Sequence, residues 1–283
     1  MSTILTVLAV LAAATPSLLV SPAELASALK DPATIVVAVG NSEDDYIAGH
    51  IPNARFVRYD DIAIDADGLS SELPPVEQIR KVLSAVGISD QSKIVIYGAA
   101  IPAARMFFTL DYIGHRNAKI LNGGLNAWKA YGGAIEIGNA PKAALATLTP
   151  QPHPQRLVNA DWIKQRLSTP RMMLLDARPD SEFTGADGGM NGAHVKGHLP
   201  DARQLVWNSL LDSSGKYLPD AELRKRLEAI GADASTPLVS YCMIGMRASV
   251  TYFVARHLGY DARLYDGSIV DWTRRKLPAV MGR

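Results

Sequence analysis

Among 283 residues there is one cysteine, Cys242, so no disulfide can form within the chain. Net charge is nearly absent too, with 29 Lys and Arg against 28 Asp and Glu, a balance of +1. Such a balance supplies no basic field for nucleic acid and no acidic tail. No apolar run reaches the ~20 residues of an ordinary membrane span. What is present is a globular composition, 48% hydrophobic and 20% charged. The length allows two domains of ~100–150 residues each.

Lys and Arg are also missing before Lys30. The uncharged run "ILTVLAVLAAA", Ile4 to Ala14, has the length of a signal-peptide apolar region and ends in an Ala-x-Ala pattern at Ala12 and Ala14. Residues 1–17 are therefore expected to be a signal peptide or a disordered start. Export implies a periplasmic or secreted location with no stable membrane association after processing; a packed apolar start would leave the chain cytoplasmic.

Self-comparison reveals a duplication. "HIPNA" at His50 returns as "HLPDA" at His198; "IVIYG" at Ile94 returns as "PLVSYC", with Tyr97 matching Tyr241; "NGGLNAW" ending at Trp128 returns as "DGSIVDW" ending at Trp272. The halves, 18–137 and 156–283, meet in "GNAPKAALATLTPQPHPQ" at 138–155, which reads as an exposed linker. In the second half "MMLLDAR", "TPLVSY" and "DARLYDG" read as strands. "PDAELRKRLEAIG" and "RASVTYFVARHLG" read as helices stopped by Gly231 and Gly259. The first half repeats this with "TIVVAVG", "VEQIRKVLSAVG", "KIVIYG" and "KILNGG". Buried-type strands alternating with helices predict two α/β domains, each a mainly parallel sheet flanked by helices.

Cys242 is the first residue past "PLVSY", at a carboxyl strand end where open α/β sheets place their sites. The loop "CMIGMR" joins it to a helix beginning near Ala248. A loop curling around its own first side chain aims several backbone N–H groups at one point, with Gly245 permitting the curl. That concavity and the helix N-terminus behind it stabilise negative charge, and a thiol there is expected to exist largely as thiolate. Arg247 adds a positive charge. Without those neighbours Cys242 would read as a small buried apolar residue.

The loop, "DAR" at Asp176, "GHLPDA" at Gly197, "YDGSIVDW" at Tyr265 and the duplication together resemble a tandem-domain rhodanese, of the thiosulfate and 3-mercaptopyruvate sulfurtransferase type. The resemblance implies that Cys242 takes a sulfane sulfur from a small anionic donor as a persulfide. It then passes that sulfur to a thiol or cyanide, without metal or organic cofactor. Met243, Ile244, Gly245, Met246 and Arg247 would bind substrate through the loop; Arg178 would contact an anionic donor or tie down neighbouring backbone; Asp176 and Glu182 would give structural support. One half has lost the site, since Gly98 aligns with Cys242 and "GAAIPAAR" replaces "CMIGMRAS".

Met243 and Ile244 depart from the loops of both tandem subtypes, and Glu182 stands where several tandem enzymes carry a substrate-binding Arg. Glu182 would pair with Arg247 or be a solvated charge. His50 and His198, occurring in both halves, read as structural, although the mercaptopyruvate enzymes give a relay role to a His resembling His50. "HVKGH", His194 to His198, has metal-like spacing, but Gly197 argues against a helix there. "TGADGGMNG" from Thr184 reads as a flexible insertion near the pocket. Two other functional classes remain open: a Cys-dependent phosphatase or arsenate-type enzyme, whose loops put five residues between Cys and Arg where this chain has four, and a non-catalytic sulfur-sensing protein. The sequence does not reveal the oligomeric state.

Overall fold

The structure is a computed structural model and describes residues 16–139, 142–169, 171–188 and 195–283. The apolar run at Ile4 to Ala14 lies outside the described residues. Among the described residues no helix is long and apolar enough to cross a membrane.

The first half runs β1 (Leu19–Val20), α1 (Pro22–Ala28), β2 (Thr34–Gly40), α2 (Glu43–Ala48), β3 (Arg55–Arg58), a hairpin of β4 (Ile64–Ala66) and β5 (Leu69–Glu72), α3 (Val76–Ala85), β6 (Lys93–Gly98), α4 (Ala100–Tyr112), β7 (Ala118–Leu121) and α5 (Gly124–Ala130). The second runs β8 (Leu157–Val158), α6 (Ala160–Lys164), β9 (Met173–Asp176), α7 (Asp180–Thr184), β10 (Arg203–Gln204), α8 (Asp220–Ala229), β11 (Leu238–Tyr241), α9 (Ala248–His257), β12 (Ala262–Tyr265) and α10 (Ser268–Arg274). The strand orders β1-β7-β6-β2-β3 and β8-β12-β11-β9-β10 correspond one to one, and every pairing within these two sheets is parallel. The central strands send alternate residues into separate apolar clusters on the two faces of the sheet, which is why they carry unbroken apolar runs such as "TIVVAV". The fold is the expected pair of α/β units.

Two local features differ from expectation. The hairpin β4–β5 is antiparallel, and its turn uses Asp67 and Gly68 at φ 51° and 73°, the geometry that favours Asp-Gly. The described part of segment 138–155 is mostly exposed, in keeping with a linker, but it is not detached from the first half. Leu148 is buried, Ala146 N–H donates to Ser84 O, Gln151 N–H to Ile113 O and His153 N–H to Tyr112 O. These bonds run to the first half, so residues 146–153 lie along that domain.

The halves join through α4 and α9. Phe108 meets Tyr252, its repeat equivalent 144 positions on, edge to face at 5.0 Å; Phe107 meets Phe253 at 4.9 Å. Tyr252 Oη donates to Asp111, which also accepts from Arg256 Nε at 2.8 Å. Burial alone would discourage the Asp111 charge, but Arg256, Tyr252 and Arg156 outweigh it and hold the carboxyl below its usual range. One apolar core continues from the first half into the second through this contact. Truncating Phe253, fully buried between Phe107 and Tyr217, is expected to cost about 3–5 kcal/mol. Chemical denaturation of Phe253→Ala against wild type checks this.

Candidate active site

Strand β11 occupies the middle of its sheet, and its last residue, Tyr241, pairs with Asp176 of β9. Cys242 therefore leaves the sheet at its carboxyl edge. The chain then turns through Met243 to Arg247 before α9 begins, with Gly245 at φ +81°. Side chains of Met243 and Ile244 pack into the core around Trp272 and Tyr265, so only their backbone is left for the loop's concavity. Among the described residues, the amides of Met243, Ile244, Met246 and Arg247 donate to no carbonyl or side chain.

A second segment forms the floor of the loop. Ser268 sits at the start of α10 with φ +52°, a left-handed conformation unusual for a side-chain-bearing residue. From there its Oγ accepts from Cys242 N–H and Gly245 N–H, both at 3.0 Å, and donates to Tyr265 O at 2.9 Å. Ile269 N–H and Val270 N–H bond the carbonyls of Cys242 and Met243. Asp266 fills the space beside Gly245: a Cβ there would lie 2.2 Å from Asp266 Oδ1. Position 245 thus demands glycine twice, for its φ and for its neighbour.

Cys242 is fully buried. The Arg247 guanidinium is near enough to Cys242 for their charges to interact, and it forms a two-pronged pair with Glu182 at 2.7 and 2.8 Å. Burial opposes the Arg247 charge, but Glu182 and the sulfur more than offset this and hold its pKa above the usual value. Glu182, on the short α7, is therefore a buried partner of the loop and not a solvated charge. Tyr59, from the turn after β3, is near enough to Cys242 for their charges to interact, which brings the first half against the site. Glu72 of β5 is pushed up to about 8 by burial and by the neighbouring Asp266 charge.

Of the two roles open to Arg178, anion contact or a tie to neighbouring backbone, its surroundings favour the tie. It is wholly buried, its Nε and Nη2 engage Asp176 at 2.9 and 2.6 Å, and Nη2 also donates to Gly197 O. The Asp two residues earlier captures the guanidinium and ties β9 to the following turn, so the pair is structural. His50 and His198 stack on Tyr46 and Phe183, each at 3.9 Å, with Nδ1 3.0 Å from the carbonyl of that same residue. Identical packing in both halves is what a structural role requires. Trp128 and Trp272 likewise each donate to a carbonyl six residues on. Residues 189–194, including His194 and part of the Gly-rich insertion, lie outside the described residues. Among those described, no group of three or more His, Cys, Asp or Glu side chains could hold a metal ion.

The vestigial counterpart explains itself. Gly98 is still paired within the sheet, opposite Val39, and a Cβ there would lie 2.3 Å from Val39 O. Gly124 stands where the second half has Ser268, so the hydroxyl that gathers the loop amides is gone as well. Ser268 was not singled out from sequence; comparing "NGG" with "DGS" between repeats is the signal that marks it.

Residues 21–131 and 159–275 both match the rhodanese-like domain family. The chain belongs to that family. Its relatives include a thiosulfate sulfurtransferase of Azotobacter vinelandii, 29% identical over 258 residues covering 90% of this chain and 93% of that protein. A probable 3-mercaptopyruvate sulfurtransferase of Pseudomonas aeruginosa is 30% identical over 281 residues, 93% and 98% of the two chains. The sulfur carrier protein TtuD of Thermus thermophilus is 28% identical over 273 residues, 91% and 94%. Among solved structures, YnjE superimposes with a TM-score of 0.85 at 22% identity, covering 94% of this chain and 68% of that one, a likeness of fold. The two rhodanese repeats thus carry one thiol-bearing loop between them.

Removing the Ser268 hydroxyl leaves two buried amides without an acceptor, which costs ~1–3 kcal/mol. Ser268→Ala is expected to lose about that much stability in chemical denaturation. It should also slow sulfur loading of Cys242 at least about tenfold, because the loop no longer holds its curl.

Proposed function

We propose that this rhodanese is a sulfurtransferase working through a Cys242 persulfide. The observation that carries the reading is where the chain's one cysteine stands: Cys242 opens a tight loop in which four amides bond no carbonyl or side chain, and the Arg247 charge lies near it. The Cys242 thiolate attacks the sulfane sulfur of an anionic donor. With thiosulfate the new S–S bond forms as the old one breaks, and sulfite leaves with the electron pair. With 3-mercaptopyruvate the C–S bond breaks, and the carbon left behind takes a proton from solvent to give pyruvate. A thiolate or cyanide then attacks the outer sulfur and returns Cys242 as thiolate. Loop amides and Arg247 stabilise each anionic sulfur, the role that oriented N–H groups fill best in a site closed to water.

Because the sulfur is fully buried, a donor reaches it only when a neighbour yields. Arg247 is a neighbour placed to do so, its charge lying near the thiol and its side chain 17% exposed. The donor's negative charge competes with Glu182 for this guanidinium, so recognition and opening use the same residue. The four-residue spacing from Cys242 to Arg247 gives a ring tighter than a phosphatase loop, in keeping with a sulfur atom as its occupant.

A donor panel of thiosulfate and 3-mercaptopyruvate, each with cyanide or a dithiol, is expected to yield product from at least one donor with wild type and none with Cys242→Ser. Intact mass after donor treatment should rise by one sulfur. Turnover that survives in Cys242→Ser, or phosphate-ester hydrolysis without sulfur transfer, would overturn the reading.

We also propose export, on the strength of the apolar run and Ala-x-Ala pattern before Thr15. Sequencing of the mature amino terminus is expected to begin near Thr15; a start at Met1 or Ser2 contradicts it.

A further inference from the structure

The two halves are related by an approximate twofold axis between α4 and α9, and reciprocal contacts reveal where the symmetry is broken. Asn122, after β7, accepts through Oδ1 from Tyr217 N–H of the other half at 2.8 Å. Its equivalent 144 positions on, Asp266, accepts through Oδ2 from Leu73 N–H at 2.7 Å, and Leu73 is itself the equivalent of Tyr217. The frame is shared, but the amide has become a carboxylate. Where α9 has Ser249, α4 has Arg105. Arg105 Nη1 and Nη2 reach across the interface to Asp266 Oδ1 and Oδ2 at 2.5 and 2.9 Å, with the two side chains 0% and 2% exposed. Nη2 also donates to Ser71 O, and Nε to Ile62 O, so the first half grips the guanidinium on the side away from Asp266.

This ion pair occurs at the one of the two equivalent places that adjoins the thiol. Asp266 Oδ1 packs against Gly245, and Ser268, two residues on, holds the loop amides. A carboxylate under a loop built to hold an anionic sulfur would by itself oppose that anion. A full-strength counter-charge behind it removes the conflict while keeping a rigid, hydrogen-bonded floor.

We propose that Arg105, on the half without a thiol, is a positioning residue for Cys242: it neutralises Asp266 beneath the loop and so lets the loop carry sulfur as an anion. The catalytic consequence rests on the sulfur-transfer reading above, but the property itself does not. The second half thus depends on the first for a charge as well as for a wall.

Around the loop and its floor the titratable groups are Glu182 on α7, Arg247 before α9, Tyr59 after β3, Glu72 on β5, Asp271 on α10 and the Asp176–Arg178 pair after β9. All of these stay in place in the variants below. With a single cysteine in the chain, thiolate formation can be followed at 240 nm against pH, each protein blanked against its own Cys242→Ser form. Arg105→Met leaves Asp266 unopposed and is expected to raise the ionisation midpoint by about one pH unit. Asp266→Asn leaves Arg105 unopposed and should lower it by a similar amount. The double variant removes both charges and should return to within about 0.3 pH unit of wild type, since a buried pair removed whole is tolerated better than one broken. A merely structural pair would move both single variants the same way; that result, no shift in either, or a double variant no nearer wild type than the singles, overturns the proposal. If Arg105→Met does not fold, Asp266→Asn and the double variant still test the sign. No donor is used, so failure of sulfur transfer and failure of this proposal give separate results.

Discussion

The site depends on one hydroxyl held where a strained backbone puts it. Ser268 adopts a left-handed conformation at the entrance to α10, and in that pose a single Oγ collects the N–H groups of Cys242 and Gly245. Fixing those two amides sets both ends of the tightest part of the loop, while the intervening amides of Met243 and Ile244 bond no carbonyl or side chain. The strain of such a φ is of order 1–3 kcal/mol. Three hydrogen bonds at one oxygen offset it locally. Where the first half has Gly124 at φ +54° the conformation survives without strain, the hydroxyl is absent, and no cradle is assembled.

Duplication followed by divergence accounts for the rest. Two copies of one parallel α/β unit pack through α4 and α9, with equivalent aromatics meeting near the axis. The first copy lost the thiol, the floor hydroxyl and the loop glycine, with Gly98, Gly124 and Ile101 in their places. It kept a hairpin and a buried arginine that close over the second copy's floor. The retained half is a counterpart surface for the active loop.

The sequence made the architecture legible because periodic signals survive divergence: unbroken apolar strands, glycine helix stops and repeated turns are all local. Cys242, Gly245 and Arg247 were legible for a similar reason, as their chemistry is packed into six consecutive residues. Arg178 was only half legible, because a cation just past a strand end suits an anion contact or a backbone tie equally, and only the structure shows Asp176 holding it. In segment 138–155 composition signals exposure but conceals backbone bonds to residues far earlier. Arg105 with Asp266 is illegible by any local rule, the partners lying 161 positions apart. Only the comparison of repeats, Asn122 with Asp266 and Ser249 with Arg105, hints that something changed in concert.

The account stands or falls on where an added sulfur sits. A high-resolution crystal structure of donor-treated protein is predicted to show one extra sulfur bonded to Cys242 Sγ, within the curve of amides from Met243 to Arg247. Extra sulfur on any other residue, or a Cys242 side chain turned into the apolar core away from those amides, would contradict it.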